Sequence, residues 1–582
     1  MSLRRTLFSS LTIAAIFASA TTLGQTPRKK PDKTAEPTDL QQTRLFNLIQ
    51  VKKFAERALS FKDLSTQVLT VSRLANLLWD DDEVYARQLF TKALDACSLA
   101  EATASKASKR GVISTRRQII GYISRRDAKW AQRLLDSDLF SAADGYSASQ
   151  ANVETAYDLA RDNNTGAVDF AERSLKGGVS PWIVGVLLEL RRTDQKSADA
   201  LFLTVLNEVA RQPVDLNTFL YLGTYLFTSP QINPDDPTAI AQVVVGNVLV
   251  YDITLDRSNI SPALVRAYLA TGANLLGRSN SADSEGKPSL SYVTAYLLLS
   301  KAQRLAPDLV PPLMAAMALL APKVPPNLVD GSAYKSLAAN PSETADETLS
   351  AIEKLADEGQ RNEKYLSLVA SLWQKKQYGT ARLVTKKISD PDVGTRLAVV
   401  IDFGEAADDV SKNDLLAAQR IAETMPKGIE RGLLWLAIAE ARFRAKEPDQ
   451  SSSAVAAAVE SIKSLTDARR GNILLQLAGL MARLNSGTAI TLLNDAIKEF
   501  NDQKPGDLAK VQWRQNIAVG KVTRVFRLAI KGVDNDYSRA MTSLASLDTT
   551  ALISELDNVT EEQSRAQLML ALASALMTQT HP

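Results

Sequence analysis

The chain has 582 residues, with 68 Lys and Arg against 65 Asp and Glu, and a formal net charge of +3. That balance lacks the cationic footprint of a nucleic-acid binder. It holds one cysteine and one histidine, and His581 stands one residue from the chain end, where side chains are poorly held; this excludes Ser-His-Asp and Cys-His catalysis, His/Cys zinc sites and a histidine base near neutral pH.

The first residues, MSLRRTLFSSLTIAAIFASATTLGQTP, have the form of a secretory signal. Arg4 and Arg5 make a positive start, Leu7 to Ala20 is uncharged, and small residues follow at cleavage spacing, at Ala18-Ser19-Ala20 or Thr22-Leu23-Gly24. A signal peptide over 1–24 is expected, and the mature chain to be exported, periplasmic or extracellular. Removing Arg4 and Arg5 leaves a net charge of +1. The next segment, QTPRKKPDKTAEPTD, carries Arg28, Lys29, Lys30 and Lys33 among prolines and reads as a solvated linker over 25–40. No later stretch is apolar over a membrane-spanning length, so no stable membrane insertion is expected after cleavage. Cys97 sits among Ala96, Ser98 and Leu99 in a helical run and reads as a small buried thiol.

From residue 41 onward, good helix formers dominate and apolar residues recur at three- and four-residue spacing. In LFNLIQVKKFAERALSF (45–61) the stripe is Leu48, Val51, Phe54, Ala55, Ala58 and Leu59. In LANLLWDDDEVYARQLFTKAL (74–94), Leu74, Leu77 and Leu78 face inward from one helix, and Ala86, Leu89, Phe90 and Ala93 from the next. Between them Asp80, Asp81, Asp82 and Glu83 read as a turn and helix start, because acids there accept backbone N–H groups and favour the positive end of the helix dipole. A calcium loop needs ligands spread over about twelve residues and does not fit.

The same unit recurs at 368–388, 436–462 and 475–497, with turns at Gln374 to Gly379, Glu447-Pro448-Asp449 and Asn485-Ser486-Gly487. Second-helix alanines at Ala381, Ala418, Ala454 and Ala489 are 37, 36 and 35 residues apart. Ala86, Ala131, Ala171 and Ala198 continue the arrangement upstream at 45, 40 and 27. Helix pairs at such a period mark a stacked α-repeat array.

The second-helix pattern Ala86-x3-Phe90-x2-Ala93, its partner Ala489-x3-Leu493-x2-Ala496, and the spacing of Tyr378 to Ala381 resemble tetratricopeptide (TPR) repeats. The resemblance covers about half the chain; the closing proline is mostly missing and the small residue of the first helix is not steady. It implies an all-α, right-handed superhelix of stacked antiparallel helix pairs, a TPR-like α-solenoid, with a protein or peptide partner in a concave groove. The expected division is a helical-repeat region over 41–320, a Pro-rich connection over 321–346 and a TPR-like region over 347–582. Two β-branched runs, Val243 to Val245 and Val248 to Ile253, flank Gly246-Asn247 and predict a small β-hairpin near 243–253. LLGRSNSADSEGKPSLS (275–291) reads as an exposed loop.

Other motifs dissolve on inspection. Gly272 to Ser279 nearly spells a phosphate loop, but Arg278 replaces its lysine and a helix precedes it. Gly145-Tyr-Ser147-Ala-Ser149 lacks the second glycine of a nucleophile elbow. The acid pairs Asp235-Asp236, Asp408-Asp409 and Glu561-Glu562 are sequence neighbours that read as caps and turns. The tryptophans (Trp79, Trp130, Trp182, Trp373, Trp435, Trp513) fall about one per unit, as packing between units requires. No catalytic, cofactor-binding or metal-ligating residue is singled out. The expectation is a non-enzymatic interaction or scaffolding module of the cell envelope; the alternative is a carboxylate-dependent, glycan-acting enzyme on a helical scaffold, and a plain structural spacer is a third reading.

Overall fold

The computed structural model describes residues 39–578 except 104, 138–147, 163–165, 228–259 outside four two-residue strands, 282–287, 331–344, 468, 503–512, 529 and 531–536. The signal and most of the linker therefore lie outside the described residues, as do most of the Pro-rich connection, Gly145, Ser147, Asp235, Asp236 and His581. Residues 1–46 and 47–582 separate as two units, and the helix pairs belong to the second.

Helix α1 (Asp39–Ala58) leads into helix pairs: α2 (Leu64–Leu78) with α3 (Glu83–Thr103), α4 (Lys106–Arg126) with α5 (Ala128–Leu135), α6 (Ala148–Arg161) with α7 (Ala167–Ser174), and α8 (Ile183–Thr193) with α9 (Gln195–Arg211). Then come α10 (Leu216–Leu226), four short strands β1 (Gln231–Ile232), β2 (Ile240–Ala241), β3 (Val244–Val245) and β4 (Val248–Leu249), and α11 (Pro262–Ser281), α12 (Pro288–Leu305), α13 (Val310–Leu320) and α14 (Pro326–Val329). After α15 (Ala345–Glu353) the pairs resume: α16 (Glu358–Gln374) with α17 (Tyr378–Thr385), α18 (Pro391–Ser411) with α19 (Leu415–Thr424), α20 (Ile429–Arg444) with α21 (Pro448–Ile462), and α22 (Arg469–Met481) with α23 (Ser486–Asn501). A hairpin, β5 (Arg514–Val519) and β6 (Val522–Arg527), precedes α24 (Ser538–Asp557) and α25 (Glu562–Thr578).

This is an all-α solenoid of helix pairs with small β-hairpins. The alanine periodicity is its cause. Ala86, Ala131, Ala171, Ala198, Ala381, Ala418 and Ala489 are all 0% exposed and Ala454 is 3%. Each stands on the second helix of a pair, where a methyl group lets that helix close on its partner. Leu89 and Phe90 beside the first of them are also fully buried, each contributing roughly 1.5–3 kcal/mol of transfer free energy. The 243–253 expectation is met by β3 and β4, which pair antiparallel with Val244 opposite Leu249 and Val245 opposite Val248.

Within the stack, successive first helices pack on one another: α2 on α4, α4 on α6, α6 on α8, α18 on α20 and α20 on α22. Ion pairs register neighbouring units. Arg126 reaches Asp80 at 2.9 Å, Arg117 reaches Glu154 at 2.7 Å and Asp158 at 3.0 Å, and Arg483 reaches Glu440 at 2.8 Å. Three consecutive units end their first helix in the same way. Lys376, Asn413 and Lys446 have φ of 59°, 64° and 62°, and the next residue donates back to the helix: Gln377 N to Leu372 O, Asp414 N to Asp409 O, Glu447 N to Arg442 O. These are Schellman closures with a left-handed residue that is not glycine.

The last helix returns to the beginning. α25 packs on α2, Glu562 accepts the backbone N–H of Lys62 and Asp63 at 3.0 and 3.1 Å, and Arg57 meets Asp557 at 2.5 Å. The path of helix contacts thus runs from α16 through α25 into α2 and onward, so residues near the two chain ends share one core.

Two expectations are corrected. Residues 275–281 and 288–291 are helical, not loop, because α11 runs on to Ser281 and α12 begins at Pro288. Arg278 anchors that extension, donating to the carbonyls of Ala210 at 2.8 Å and Gln212 at 2.9 Å. The region after 347 is not helical throughout either. β5 and β6 form a six-residue ladder from Arg514 opposite Arg527 to Val519 opposite Val522, and Gly520 makes the turn at φ +55°.

Candidate interaction surfaces

The sequence candidates resolve into structural parts. Asp80 and Asp81 turn the chain, and Asp82 starts α3 by accepting the Tyr85 N–H at 3.0 Å. A hydrogen bond from Lys52, ahead of that from Tyr85, holds the Asp82 carboxyl below the ordinary carboxylate range. Glu561 accepts the N–H groups of Gln563 and Ser564 at the start of α25. Cys97 is buried, and burial pushes its thiol up to about 11, so it stays protonated and inert. Gly272 lies inside α11, where a Cβ would sit 2.4 Å from Leu298 Cδ1; it serves close packing, not phosphate binding.

Asp408 and Asp409 belong to an ion-pair cluster. Asp408 accepts from Lys376, the left-handed residue of the preceding unit, and from Lys412 at 2.8 Å. Those two lysines hold its carboxyl low, while burial pushes Asp409 up. Arg382 binds Asp402 at 2.6 Å and also Glu405. Among the described residues, no three His, Cys, Asp or Glu side chains come together as a metal site would need.

The tryptophans pack. Trp79 and Trp130 flank Phe90 at 6.1 and 6.2 Å. Trp435 is buried, and Trp182 and Trp513 pack against the main core. Trp373 donates to Val400 O at 3.3 Å and meets Phe526 edge-on at 5.6 Å.

That last contact introduces a surface that sequence reasoning missed. The β5–β6 hairpin lies across the first helices α16 and α18 and reaches the start of α20 through Gln515 and Glu430. Ile517 and Phe526 are 0% and 1% exposed and share a core with Leu366, Val369 and Leu397. Arg396 donates to Asn516 O at 2.6 Å, Gln515 to Glu430 at 2.5 Å and Arg524 to Ser367 at 2.9 Å. Glu363 accepts the Lys521 N–H at 2.7 Å. The available signal was the alternation in RQNIAVGKVTRVF, with β-branched residues on both sides of Gly520-Lys521.

A second surface is a cleft of about 790 Å³ between the second helices α21 and α23, within the usual range of about 300–1,000 Å³ for binding clefts. Val455, Val459, Ile462, Leu474, Met481 and Leu492 give it apolar walls and floor. Asp449, Glu460, Lys463, Thr488 and Asp495 stand among its polar lining. It stays open because α21 presents Ser452 and Ala456 to it, too small to reach across. None of the lining residues is aromatic. Glu460 is paired with Lys427 at 2.5 Å, which holds its carboxyl below the ordinary range.

No protein-family model matches the sequence, and no curated protein does. One solved structure that matches is described as a circular tandem repeat protein with novel repeat topology and enhanced subunit contact surfaces; it is 10% identical, the match covers 92% of this chain and 98% of that one, and the TM-score is 0.13. The fold assignment rests on the helix pairs themselves. Among the described residues, no helix is long and apolar enough to cross a membrane.

Proposed function

We propose that this chain is an exported helical-repeat protein that binds a partner protein in the cell envelope, holding an amphipathic helix of that partner in the cleft between α21 and α23. The observation that carries the reading is the cleft: an apolar floor, a polar rim and helical walls suit a helix with apolar residues at i, i+3, i+4 and i+7. Export is supported by Arg4, Arg5 and the uncharged Leu7 to Ala20.

The glycan-acting alternative needs two acids across an aromatic-lined cleft, one with a raised pKa. This cleft has no aromatic lining, and the pKa of Glu460 moves the other way. The test is co-purification from the native host with wild type and Ala456→Trp, whose ring projects into the cleft. A protein retained by wild type and lost by a normally folded Ala456→Trp supports the reading. Turnover of an envelope polymer by the purified chain would sink it.

A further inference from the structure

The β5–β6 hairpin concentrates charge in a chain that is otherwise balanced. Residues 508–533 contain Lys510, Arg514, Lys521, Arg524, Arg527 and Lys531 and no Asp or Glu. The ladder sorts the hairpin's residues into two faces. Gln515, Ile517, Val519, Val522, Arg524 and Phe526 turn toward the helices, and Arg514, Asn516, Ala518, Thr523, Val525 and Arg527 are exposed. Arg514 stands directly opposite Arg527 on the exposed face.

Elsewhere in this protein many arginines are tied to acids. Here, among the described residues, Arg396, Arg514, Lys521 and Arg524 enter no ion pair: Arg396 donates to the Asn516 carbonyl and Arg524 to the Ser367 hydroxyl. The acids near the hairpin are already committed, Glu363 to the Lys521 N–H and Glu430 to the Gln515 amide. Beside the edge of β5 lies a pocket of about 170 Å³ lined by Thr395, Arg396, Lys427, Glu430 and Gln515 among others, and Lys427 there is paired with Glu460. It has room for one carboxylate side chain, and Arg396 is among its lining.

We infer that the exposed face of the β5–β6 hairpin, with Arg396 and its pocket at the edge, is a docking surface for an acidic, extended peptide segment of a partner protein. The partner's carboxylates meet Arg514 and Arg396, and Val525, 49% exposed between Arg527 and the turn, supplies an apolar contact. A strand laid against a hairpin matches the repeat of these residues, since alternate side chains of an extended peptide fall on one face. Nucleic acid is the weaker fit. Single strands are held by aromatic platforms, whereas the exposed face has no aromatic residue and Phe526 is buried. This surface is separate from the α21–α23 cleft, and failure of either reading leaves the other standing.

The test is fluorescence anisotropy on the full-length chain with three labelled probes: a twelve-residue Glu-Val repeat, a Lys-Val repeat of the same length, and an oligothymidylate. The expected result is binding of the Glu-Val probe at least ten-fold tighter than either other probe, weakening as salt is raised. Arg514→Glu should reduce it by ten-fold or more, and Arg514→Lys should leave it within about three-fold of wild type, with thermal unfolding no lower than wild type in both variants. Equal binding of the acidic and basic peptides would overturn the proposal. So would indifference to the charge-reversed variant, or preference for the oligothymidylate.

Discussion

Asn47 and Leu576 lie 529 positions apart in the chain and are joined by a hydrogen bond of 2.9 Å, the Asn47 amide donating to the Leu576 carbonyl. Leu576 is in the last turn of α25, where carbonyls have no partner within the helix, and Asn47 is 2% exposed. The amide therefore caps the final helix from the opposite end of the sequence. Asn47→Leu leaves that carbonyl unsatisfied in a buried place and should cost about 1–3 kcal/mol. Urea unfolding measures the loss. Hydrogen exchange then locates it: α1 from Asn47 onward and α25 should lose protection together, and loss confined to one of them would contradict a shared core.

The Schellman closures give a prediction of opposite sign. Lys446 has a φ of 62°, a conformation that costs an L-residue with a side chain roughly 1–2 kcal/mol and glycine little. Lys446→Gly should raise stability by about 0.5–1 kcal/mol, visible as a higher Tm. At Lys376 the same change also removes the ion pair to Asp408. Lys376→Gly should therefore gain less than Lys446→Gly, or lose.

Close approach between units is sharpest at Gly479. A Cβ there would lie 2.4 Å from the Ala540 Cα, a backbone atom that cannot swing away. α22 meets α24 through this glycine. Gly479→Ala should cost about 1–3 kcal/mol by overpacking, read from chemical denaturation. Gly277→Ala, where a Cβ meets nothing within 4 Å, is the matched control and should be neutral or mildly stabilising.

Asp408 makes one part of the stability depend on pH. Hydrogen bonds from Lys376, then Lys412, hold its folded pKa below the unfolded value of about 3.9. A depressed acid contributes stability that is fully present above the unfolded pKa and is lost as pH falls through the folded one. Asp408→Asn should lower the urea midpoint at pH 7. The gap to wild type should shrink below about pH 4 and vanish once the wild-type carboxyl is protonated. A gap that stays constant from about pH 7 to about pH 3 would show that the lysine contacts are not responsible.

Much of the architecture was legible because the repeat uses alanine where helices close. The alanines chosen by spacing, from Ala86 to Ala489, are all buried, and the acidic run at Asp80 to Glu83 turns the chain and starts a helix as its local chemistry requires. The hairpin was hidden by helix-rich surroundings, although the alternation around Gly520 was present. The helical continuation at 275–281 was not legible, because its support is Arg278 reaching carbonyls 66 and 68 positions away. Contact between the chain ends was equally hidden. Asn47 and Glu562 carry no local mark of partners 529 and 500 residues distant. The left-handed closures lack the glycine that would have announced them. As for a site, the sequence offered none, and the cleft depends on which small side chains face one another after folding.

Whether the α21–α23 cleft holds a helix of a partner protein is decided by photo-cross-linking from inside it. A photoreactive amino acid is placed at Ser452 and at Thr491, on opposite walls, and at Leu99, which is 72% exposed on α3. Cross-linking in the native host is followed by mass spectrometry of the adducts. Both cleft positions should capture one and the same protein, through residues spaced three or four apart; Leu99 should not, and Ala456→Trp should abolish the adduct. Absence of a common adduct from the two walls, or an adduct that survives Ala456→Trp unchanged, would contradict a helix seated in the cleft.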